Sequence, residues 1–397
     1  MRDTLPPSPA STRPLFLDPN LNVIFGVTLL AVLGVSSIAP VFPMVARELD
    51  VAPGAVGLLI TVFTLPGIIL TPVFGILADR FGRKQVLVPA LVLFSVAGSS
   101  CSLGRDFEVL LILRFFQGVG AASLGSLNAT LIGDLFSGRK RTEAMGYNAS
   151  VLSIGTAVYP SLGGALAALG WYVPFALPIV GLGVALAVLF RLEAVEVERG
   201  EGFKAYLREA LSGMKDRKVM GLFLVSVMTF IVLYGAYTTF IPLHLADQFG
   251  STALAIGLVM SVGSLSTAIT ASCLRYLNRF LSSEQLITNA FALYALSFLV
   301  IPMLPGHWLV AIPVALFGVA QGMNYPVVMS LLAGLAPTEH RAIFMSANGM
   351  VLRVGQTLGP LIMAGVFAWG GMEWVFQAAM GICIGMFLLI PWMIGRK

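Results

Sequence analysis

Long apolar runs dominate the chain and constrain its fold more than any other feature. A helix needs about 17 to 25 mostly apolar residues to cross the hydrocarbon core of a bilayer. Runs of about this length occur at twelve places: 20–46, 54–77, 85–103, 108–133, 143–168, 173–190, 219–246, 254–274, 285–304, 308–333, 342–367 and 374–394. With 57% hydrophobic and only 11% charged residues, the chain has too little charge for a water-facing surface. The sequence therefore predicts an all-α membrane protein with twelve transmembrane helices, and it excludes a soluble enzyme or nucleic-acid-binding protein.

The positive charges predict how these helices are oriented. With the N-terminus inside, twenty of the 24 Lys and Arg residues fall in tails or loops on the N-terminal side of the membrane. Arg47 and Arg105 fall on the opposite side, and Arg114 and Arg353 fall within spans. Because cytoplasmic loops are rich in Lys and Arg, we expect a multi-pass protein of the cytoplasmic (inner) membrane with both termini in the cytoplasm.

A shift of the sequence against itself by 200 residues reveals an internal repeat. Identical residues meet without a gap at many positions, among them Gly118 and Gly318, Asn148 and Asn348, Gly155 and Gly355, and Pro160 and Pro360. Parallel repeats of six helices around a central cavity are the architecture of a rocking transporter. The predicted divisions are a cytoplasmic tail at 1–19, an N-terminal bundle at 20–190, a linker at 191–218 and a C-terminal bundle at 219–397.

The linker has a pattern of its own. From Glu198 to Lys218, apolar residues recur at three-to-four spacing between charged residues. This spacing predicts an amphipathic helix that lies on the cytoplasmic face of the membrane. A solvated linker with some helical content is the alternative.

The turn after the second span carries the most distinctive motif, Gly-Ile-Leu-Ala-Asp-Arg-Phe-Gly-Arg-Lys at 75–84. Glycine permits close helix approach and a tight turn, and a carboxylate here can pair with a neighbouring arginine. The motif resembles the signature loop of the major facilitator superfamily. The resemblance implies a cytoplasmic charge latch that favours an outward-open state. The residues assigned to this latch are Gly75, Asp79, Arg80, Gly82, Arg83, Asp134 and Arg141.

Three further spans resemble motifs of the same superfamily. The fourth has Leu110, Arg114, Gln117, Gly118, Gly120, Ala121 and Ala122 at the matching spacing. The fifth resembles the motif of antiporter members through Gly155, Pro160, Gly163 and Gly164, although Tyr159 stands where that motif has glycine. The first, with Leu33-Gly34 and 40–43, is similar to twelve-helix drug:proton antiporters. The resemblance covers the whole chain and implies proton-driven drug efflux; ordinary close packing of small residues is a compatible explanation for the glycines.

Inside the spans the sequence keeps arginine but no carboxylate. All nineteen Asp and Glu residues fall near helix ends, in loops or in the tail. If the eleventh helix begins near Arg341, Arg353 lies roughly 18 Å along it at about 1.5 Å per residue, near the middle of the bilayer. Two roles are open for Arg353, a structural one and the binding of a substrate anion. Arg114 lies roughly 9 Å from the outer edge by the same rise and can extend towards Asp106 or Glu108.

The resemblance also implies which helices line the cavity, namely the first, fourth, seventh and tenth. The predicted substrate-binding residues are Arg114, Gln117, Asn128, Tyr234, Tyr237, Gln321, Asn324, Tyr325, Arg353 and Gln356. Interhelical hydrogen bonding is the alternative for each of them. Arg114 and His244 are the candidates for proton coupling, and an interfacial position without a role in coupling is the alternative for His244.

These patterns predict a secondary active transporter that exports amphipathic small molecules by alternating access and is coupled to protons. The alternative is a transporter of an organic anion or lysolipid, with Arg353 on the anionic group. The expected partners are a small-molecule substrate, membrane lipid and protons, with no nucleic acid, and the protein is expected to be a monomer. We expect no cofactor and no metal site. No nucleophile, metal-ligand cluster or acid pair lies deep enough in the spans to indicate an enzyme.

Overall fold

The computed structural model describes residues 14–193, 216–335 and 341–394. In this part of the chain the regular structure is entirely helical. The predicted linker helix lies outside the described residues, apart from its last three positions. There Asp216 accepts backbone N–H groups of Lys218 and Val219 and so starts the next helix.

The N-terminal half consists of long helices joined by short turns. Its helices are α1 (Pro19–Ser36), α2 (Phe42–Glu48), α3 (Leu58–Phe81), α4 (Arg83–Ser100), α5 (Phe107–Leu135), α6 (Gly138–Leu166) and α7 (Val180–Arg191). The turn between α3 and α4 is tight because Gly82 adopts φ +101°, a conformation that a side chain disfavours. We call this end of the bundle the Gly82 end, and the opposite end, where α4 passes to α5, the Gly104 end.

The C-terminal half has the same construction. Its helices are α8 (Arg217–Ile231), a π-helical segment (Val232–Phe240), α9 (Ile241–Phe249), α10 (Ala253–Ser272), α11 (Leu274–Leu277), α12 (Ser283–Val300), α13 (Ala311–Leu335) and α14 (Arg341–Ile394). The long α14 is two arms, because Gly371 at φ 78° and ψ −165° interrupts the helical backbone.

Ten helical stretches in the described ranges are long and apolar enough to cross a membrane. Two of the twelve predicted spans are not counted separately. One corresponds to α4, which has only 18 residues and includes Arg83, Lys84 and Gln85, so its mean hydropathy is too low to count as a span. The other is merged with its neighbour, since both arms of α14 count as one stretch.

Within each half, glycines let helix backbones approach closely. A Cβ at Gly120 of α5 would lie 2.6 Å from the Ala90 carbonyl oxygen of α4. In the other half, a Cβ at Gly322 of α13 would lie 2.6 Å from the Thr267 carbonyl oxygen of α10. Small residues at such crossings are how membrane helices maximise van der Waals contact.

Two seams join the halves. At the first, α3 packs on α14: a Cβ at Gly57 would lie 3.0 Å from Cβ of Pro360, and Thr61 donates to the Thr357 carbonyl over 3.1 Å. Thr64 and Thr357 also share a hydrogen bond of 2.9 Å between their hydroxyls.

At the second seam, α6 packs on α10. The backbone of Pro160 and Ser161 leaves no room for a side chain at Gly257, and the hydroxyls of Ser161 and Ser261 are 2.7 Å apart. Ser161 also lies 3.4 Å from the Gly257 carbonyl oxygen, which accepts from it. A Cβ at Gly164 would meet the Ala253 carbonyl in the same way.

Both seams lie nearer to the Gly104 end than to the Gly82 end. The side-chain hydrogen bonds that cross between the halves in the described ranges are confined to Thr61, Thr64 and Thr357 at one seam and Ser161 at the other. At the Gly82 end, Gly146 and Gly349 have no neighbouring atom within 4 Å that a Cβ would meet. The halves are therefore held together mainly at the Gly104 end.

The second seam gives a test of this packing. Gly257→Ala places a methyl group against the Pro160 carbonyl, so it should lower the free energy of unfolding by about 1–3 kcal/mol, as overpacking does. The measurement is titration with SDS in mixed micelles. The control is Gly125→Ala on α5, where the residue is exposed and nothing lies within 4 Å. Equal stability of the two variants would mean that the seam is looser than described.

Candidate functional site

Among the described residues, Arg353 is the one deep cation that lies at the junction of the two halves. Its helix, α14, belongs to the C-terminal half, yet its side chain lies on α3 of the N-terminal half: a Cβ at Gly67 would be 3.0 Å from Nε and 3.1 Å from Cδ. Its guanidinium donates to Gln356 Oε1 over 3.2 Å. The side chain is half-buried, so Arg353 retains donors that no protein group in the described ranges occupies.

Aromatic side chains lie on the helices that pack beside this cation. Phe230 and Tyr234 stack with ring centroids 5.8 Å apart, and Tyr325 lies 6.0 Å from Phe230. Helix α14 packs directly on this segment, because a Cβ at Gly355, two residues after Arg353, would lie 2.8 Å from Cβ of Phe230. The half-buried Tyr234 and Tyr325 thus offer ring faces and hydroxyls beside a guanidinium that is only partly bonded.

Arg114 has a different environment. It is 1% exposed and donates to the carbonyls of Leu59 and Gly34 over 3.1 and 2.8 Å. It also donates to Gln117 over 2.7 Å and lies 4.2 Å from the ring centroid of Phe63. All these partners belong to α1, α3 and α5, so Arg114 and Gln117 lie inside the N-terminal half and away from Arg353.

The expectation that Arg114 extends towards Asp106 or Glu108 is wrong. Asp106 instead caps α5 by accepting the N–H groups of Glu108 and Val109. Carbonyls of neighbouring helices and Gln117 accept from Nε and Nη1 of this guanidinium, whereas its Nη2 has no hydrogen-bond partner in the described ranges.

Two predicted binding residues, Asn128 and Asn324, make interhelical hydrogen bonds. Asn128 donates to Thr28 of α1, and Thr28 in turn lies 2.5 Å from Asn148 of α6. In the other half, Asn324 donates to Thr229 over 2.7 Å. Both asparagines are buried and tie helices together within one half.

Other predicted binding residues face the interior of the C-terminal half. Tyr237 is 7% exposed and stacks on Phe317 at a centroid distance of 4.3 Å. Gln321 accepts a hydrogen bond from Tyr294. Of the predicted set, the structure therefore brings Tyr234, Tyr325, Arg353 and Gln356 together and places the others elsewhere.

His244 is buried near the Gly104 end of the C-terminal half. Its ring meets those of Phe249 and Phe376 edge-on at 5.9 and 5.2 Å. Neither ring nitrogen has a hydrogen-bond partner in the described ranges. A buried imidazole with both nitrogens free is a group that can accept a proton if the surroundings open.

The predicted latch residues form a charge cluster at the Gly82 end. Arg83 contacts Asp79 over 2.5 Å and Asp134 over 3.0 Å, and these are the ion pairs of the described ranges. Arg80 lies over the ring of Phe81, and no neighbour lies within 4 Å of a Cβ at Gly75 or Gly82. Arg141 packs against Gly133 of α5 rather than pairing with Asp134. The cluster joins α3, α4 and α5 within one half.

The residues of the antiporter-type motif line helix crossings. Gly155 faces Leu29 and Val32 of α1, and the backbone of Ser37 leaves no room for a side chain at Gly163. Gly164 and Pro160 face α10 at the second seam. The motif therefore lies where α6 packs against α1 of its own half and against α10 of the other half.

Comparison with known proteins identifies the family. The family model described as "Major Facilitator Superfamily" matches residues 24–306 and 240–397, which together cover most of the chain. The chain is a member of the Major Facilitator Superfamily. It is therefore a multi-pass membrane protein of a transporter family and not an enzyme.

Individual superfamily relatives resemble it over nearly their full length. "Multidrug resistance protein 1" of Bacillus subtilis (strain 168) is 27% identical over 94% of this chain and 96% of the relative. "Tetracycline resistance protein, class C" of Escherichia coli is 24% identical over 91% and 94%. The solved structure of the human organic anion transporter MFSD10 (TETRAN) has a TM-score of 0.71 and 18% identity over 96% of this chain and 100% of that one. The last similarity shows a shared fold, and the first two confirm the resemblance to drug-resistance members of the superfamily.

Several polar partners in this superfamily member were not predicted from the sequence. Thr28 and Thr229 are isolated hydroxyl residues within apolar runs. This isolation was the sequence feature that could have indicated a role in interhelical hydrogen bonding. Gly67 is one of 42 glycines, and nothing in its neighbourhood indicates that an arginine lies on it. Tyr294 had no distinguishing pattern.

The contrast between the two deep arginines predicts different effects on stability. Arg114→Gln removes two carbonyl contacts and a ring contact inside one half, so the free energy of unfolding should fall by about 2–4 kcal/mol. Arg353→Gln removes one hydrogen bond of a half-buried group and should cost less than about 1 kcal/mol. SDS titration in mixed micelles measures both. If Arg353→Gln is as destabilising as Arg114→Gln, Arg353 is structural.

Proposed function

We propose that the protein is a secondary transporter that exports amphipathic small molecules by alternating access. The observation that supports this most is the arrangement of the seams. Close contacts between the halves lie at the Gly104 end, while the half-buried Arg353, Tyr234 and Tyr325 lie between helices of both halves. A carrier needs this division, with a site between two halves that are joined at one end and free to part at the other.

We propose further that the chain has twelve spans arranged as two parallel repeats. The two additional spans are α4 and the second arm of α14, which is counted apart from the first. The contacts at the seams support the repeat: Gly57 meets Pro360, and 200 residues along, Gly257 meets Pro160. Each half thus supplies a glycine to one seam and a proline to the other, so the two seams are related by an approximate two-fold axis. The proposed divisions are those predicted above, at 20–190 and 219–397.

The Gly82 end is proposed to face the cytoplasm of a bacterial-type inner membrane. Arg80, Arg83, Lys84, Arg139, Lys140 and Arg141 all lie at this end, as the positive-inside rule requires. With that orientation, the two halves are in contact on the outer side of the membrane in this conformation and are free to separate on the cytoplasmic side. The protein acts as a monomer in this proposal, with lipid around it.

The latch is proposed to operate in the opposite conformation. Here Arg83 neutralises Asp79 and Asp134 within one half, and no hydrogen bond or ion pair of the described ranges joins that cluster to the C-terminal half. When the Gly82 end closes, the cluster meets the start of α14, and a charge rearrangement there can favour the outward-open state. Arg141, which pairs with no carboxylate here, belongs to this proposal.

Proton coupling is part of the same proposal. Of the two candidates, His244 is the better placed, since both of its nitrogens lack partners and Asp247 lies one turn away. Arg114 is held by two carbonyls and retains its proton. The drug-resistance relatives support efflux driven by an ion gradient only as an analogy.

Cross-linking at the second seam tests alternating access. In a Cys273→Ser background, which removes the exposed native thiol, Ser161→Cys with Ser261→Cys should form a disulfide, because the native hydroxyls are 2.7 Å apart. Oxidation should reduce counterflow of whichever fluorescent amphipathic dye, cationic or anionic, the reduced protein exchanges; the reduction should be at least tenfold, and dithiothreitol should restore it. Each single-cysteine variant is the control.

Two results would contradict the proposal. Transport by the fully cross-linked protein at the rate of the reduced protein would mean that the seam does not open during the cycle. Transport without trans-stimulated exchange would indicate a channel instead of a carrier. Failure to cross-link would contradict the seam contact itself.

A further inference from the structure

The charged residues buried in the spans indicate the charge of the transported molecule. Two arginines lie deep in the spans, and every Asp and Glu of the described ranges lies near a helix end or in a turn. Arg114 donates to two carbonyls and an amide and contacts a ring, and it is 1% exposed. Arg353 makes one side-chain hydrogen bond and is half-buried. A guanidinium in an apolar layer requires an anion, carbonyls or water.

The surroundings of Arg353 suit one class of anion. Gln356 lies beside the guanidinium at 3.2 Å and adds an amide N–H donor. Phe230, Tyr234 and Tyr325 form one aromatic cluster, in which Phe230 packs on α14 at Gly355, two residues after Arg353, and Tyr234 and Tyr325 are half-buried. A planar carboxylate matches the donor fork of arginine, and an aromatic body matches the ring faces.

We propose that the substrate is an aromatic carboxylate whose anionic group binds Arg353 and Gln356 and whose ring lies on Phe230, Tyr234 and Tyr325. This inference rests on the proposed transport function and specifies its substrate class. It selects an anion over the cations expected of a drug:proton antiporter. It also selects a compact aromatic acid over a lysolipid, because the side chains that cluster beside the donors are aromatic.

Gly67 is assigned as a positioning residue for this site. The Arg353 side chain lies directly on the backbone of α3, and a methyl group at Gly67 would lie 3.0 Å from Nε. The absence of a side chain at Gly67 therefore fixes where the guanidinium lies. It also makes α3 of the N-terminal half part of a site that is otherwise built by α8, the π-helical segment, α13 and α14.

The test uses three compounds with one aromatic body. Full-length protein in proteoliposomes is assayed for counterflow of labelled naphthalene-2-carboxylate, naphthalene-2-carboxamide and 2-naphthylmethylammonium. The wild type should exchange the carboxylate fastest. Arg353→Gln should weaken its apparent affinity for the carboxylate by about tenfold to a hundredfold, the usual range for a charge-assisted contact, and should change that for the carboxamide less than about twofold. Arg353→Lys should be intermediate, since it keeps the charge but loses the fork.

Matched variants separate binding from folding. Arg275→Gln removes an exposed arginine of α11 and should leave all three exchange rates unchanged. Gly67→Ala should raise the KM for the carboxylate with little change in the maximal rate, whereas Gly365→Ala, at an exposed site with nothing within 4 Å, should not. Thermal stabilisation of each variant by the carboxylate provides a second measurement that does not depend on reconstitution.

Each outcome decides between the proposals. Faster exchange of the ammonium compound, or an equal loss for all three in Arg353→Gln, overturns the aromatic-acid assignment while export stands. Exchange of lysophosphatidylglycerol without the naphthoate also overturns it, in favour of a lipid anion. If neither these four compounds nor a cationic dye shows trans-stimulated exchange, the proposed function fails and the inference fails with it.

Discussion

The structure depends on one constraint, that polar groups within the apolar layer must find partners inside the protein. Arg114 meets it at Nε and Nη1 with two backbone carbonyls and Gln117, and only its Nη2 has no partner in the described ranges. The asparagines Asn128 and Asn324 meet it with threonines of neighbouring helices. These bonds tie together the helices within each half. Arg353 alone among these groups leaves most of its donors to something other than the protein, and it does so where the halves meet.

Close backbone approach complements these polar bonds. A hydrogen bond between membrane helices adds only modest stability, so small residues at crossings supply much of the contact. At the seams the same device serves a different purpose. Glycine facing proline and serine facing serine make contacts of small area without interlocking side chains, so the helices can separate without rotamer changes. We expect such seams to be reversible, as rocking between two states requires.

Much of the fold was predictable from the sequence, and much less of the site. Apolar length locates the helices because the bilayer imposes it, and the 200-residue shift predicted a relation that the Gly57–Pro360 and Gly257–Pro160 contacts match. Helical spacing did not show which face of a helix turns to which neighbour. The π-helical segment is the clearest case: it turns less per residue than an α-helix, and within it Tyr234 stacks on Phe230 while Tyr237 stacks on Phe317. Arg114 was misplaced because carbonyls of α1 and α3 become its partners only after the helices pack.

Arg353 makes fewer hydrogen bonds to the protein than Arg114 does, and this difference affects coupling. Closing the Gly82 end over Arg353 would remove water from a guanidinium whose only side-chain partner is Gln356, and burying an unpaired charge is costly. A bound carboxylate neutralises that charge and lowers the cost of closure. A ligand shifts a conformational equilibrium by its difference in affinity for the two states. In the proposed cycle, an anion on Arg353 therefore favours passage through the closed state.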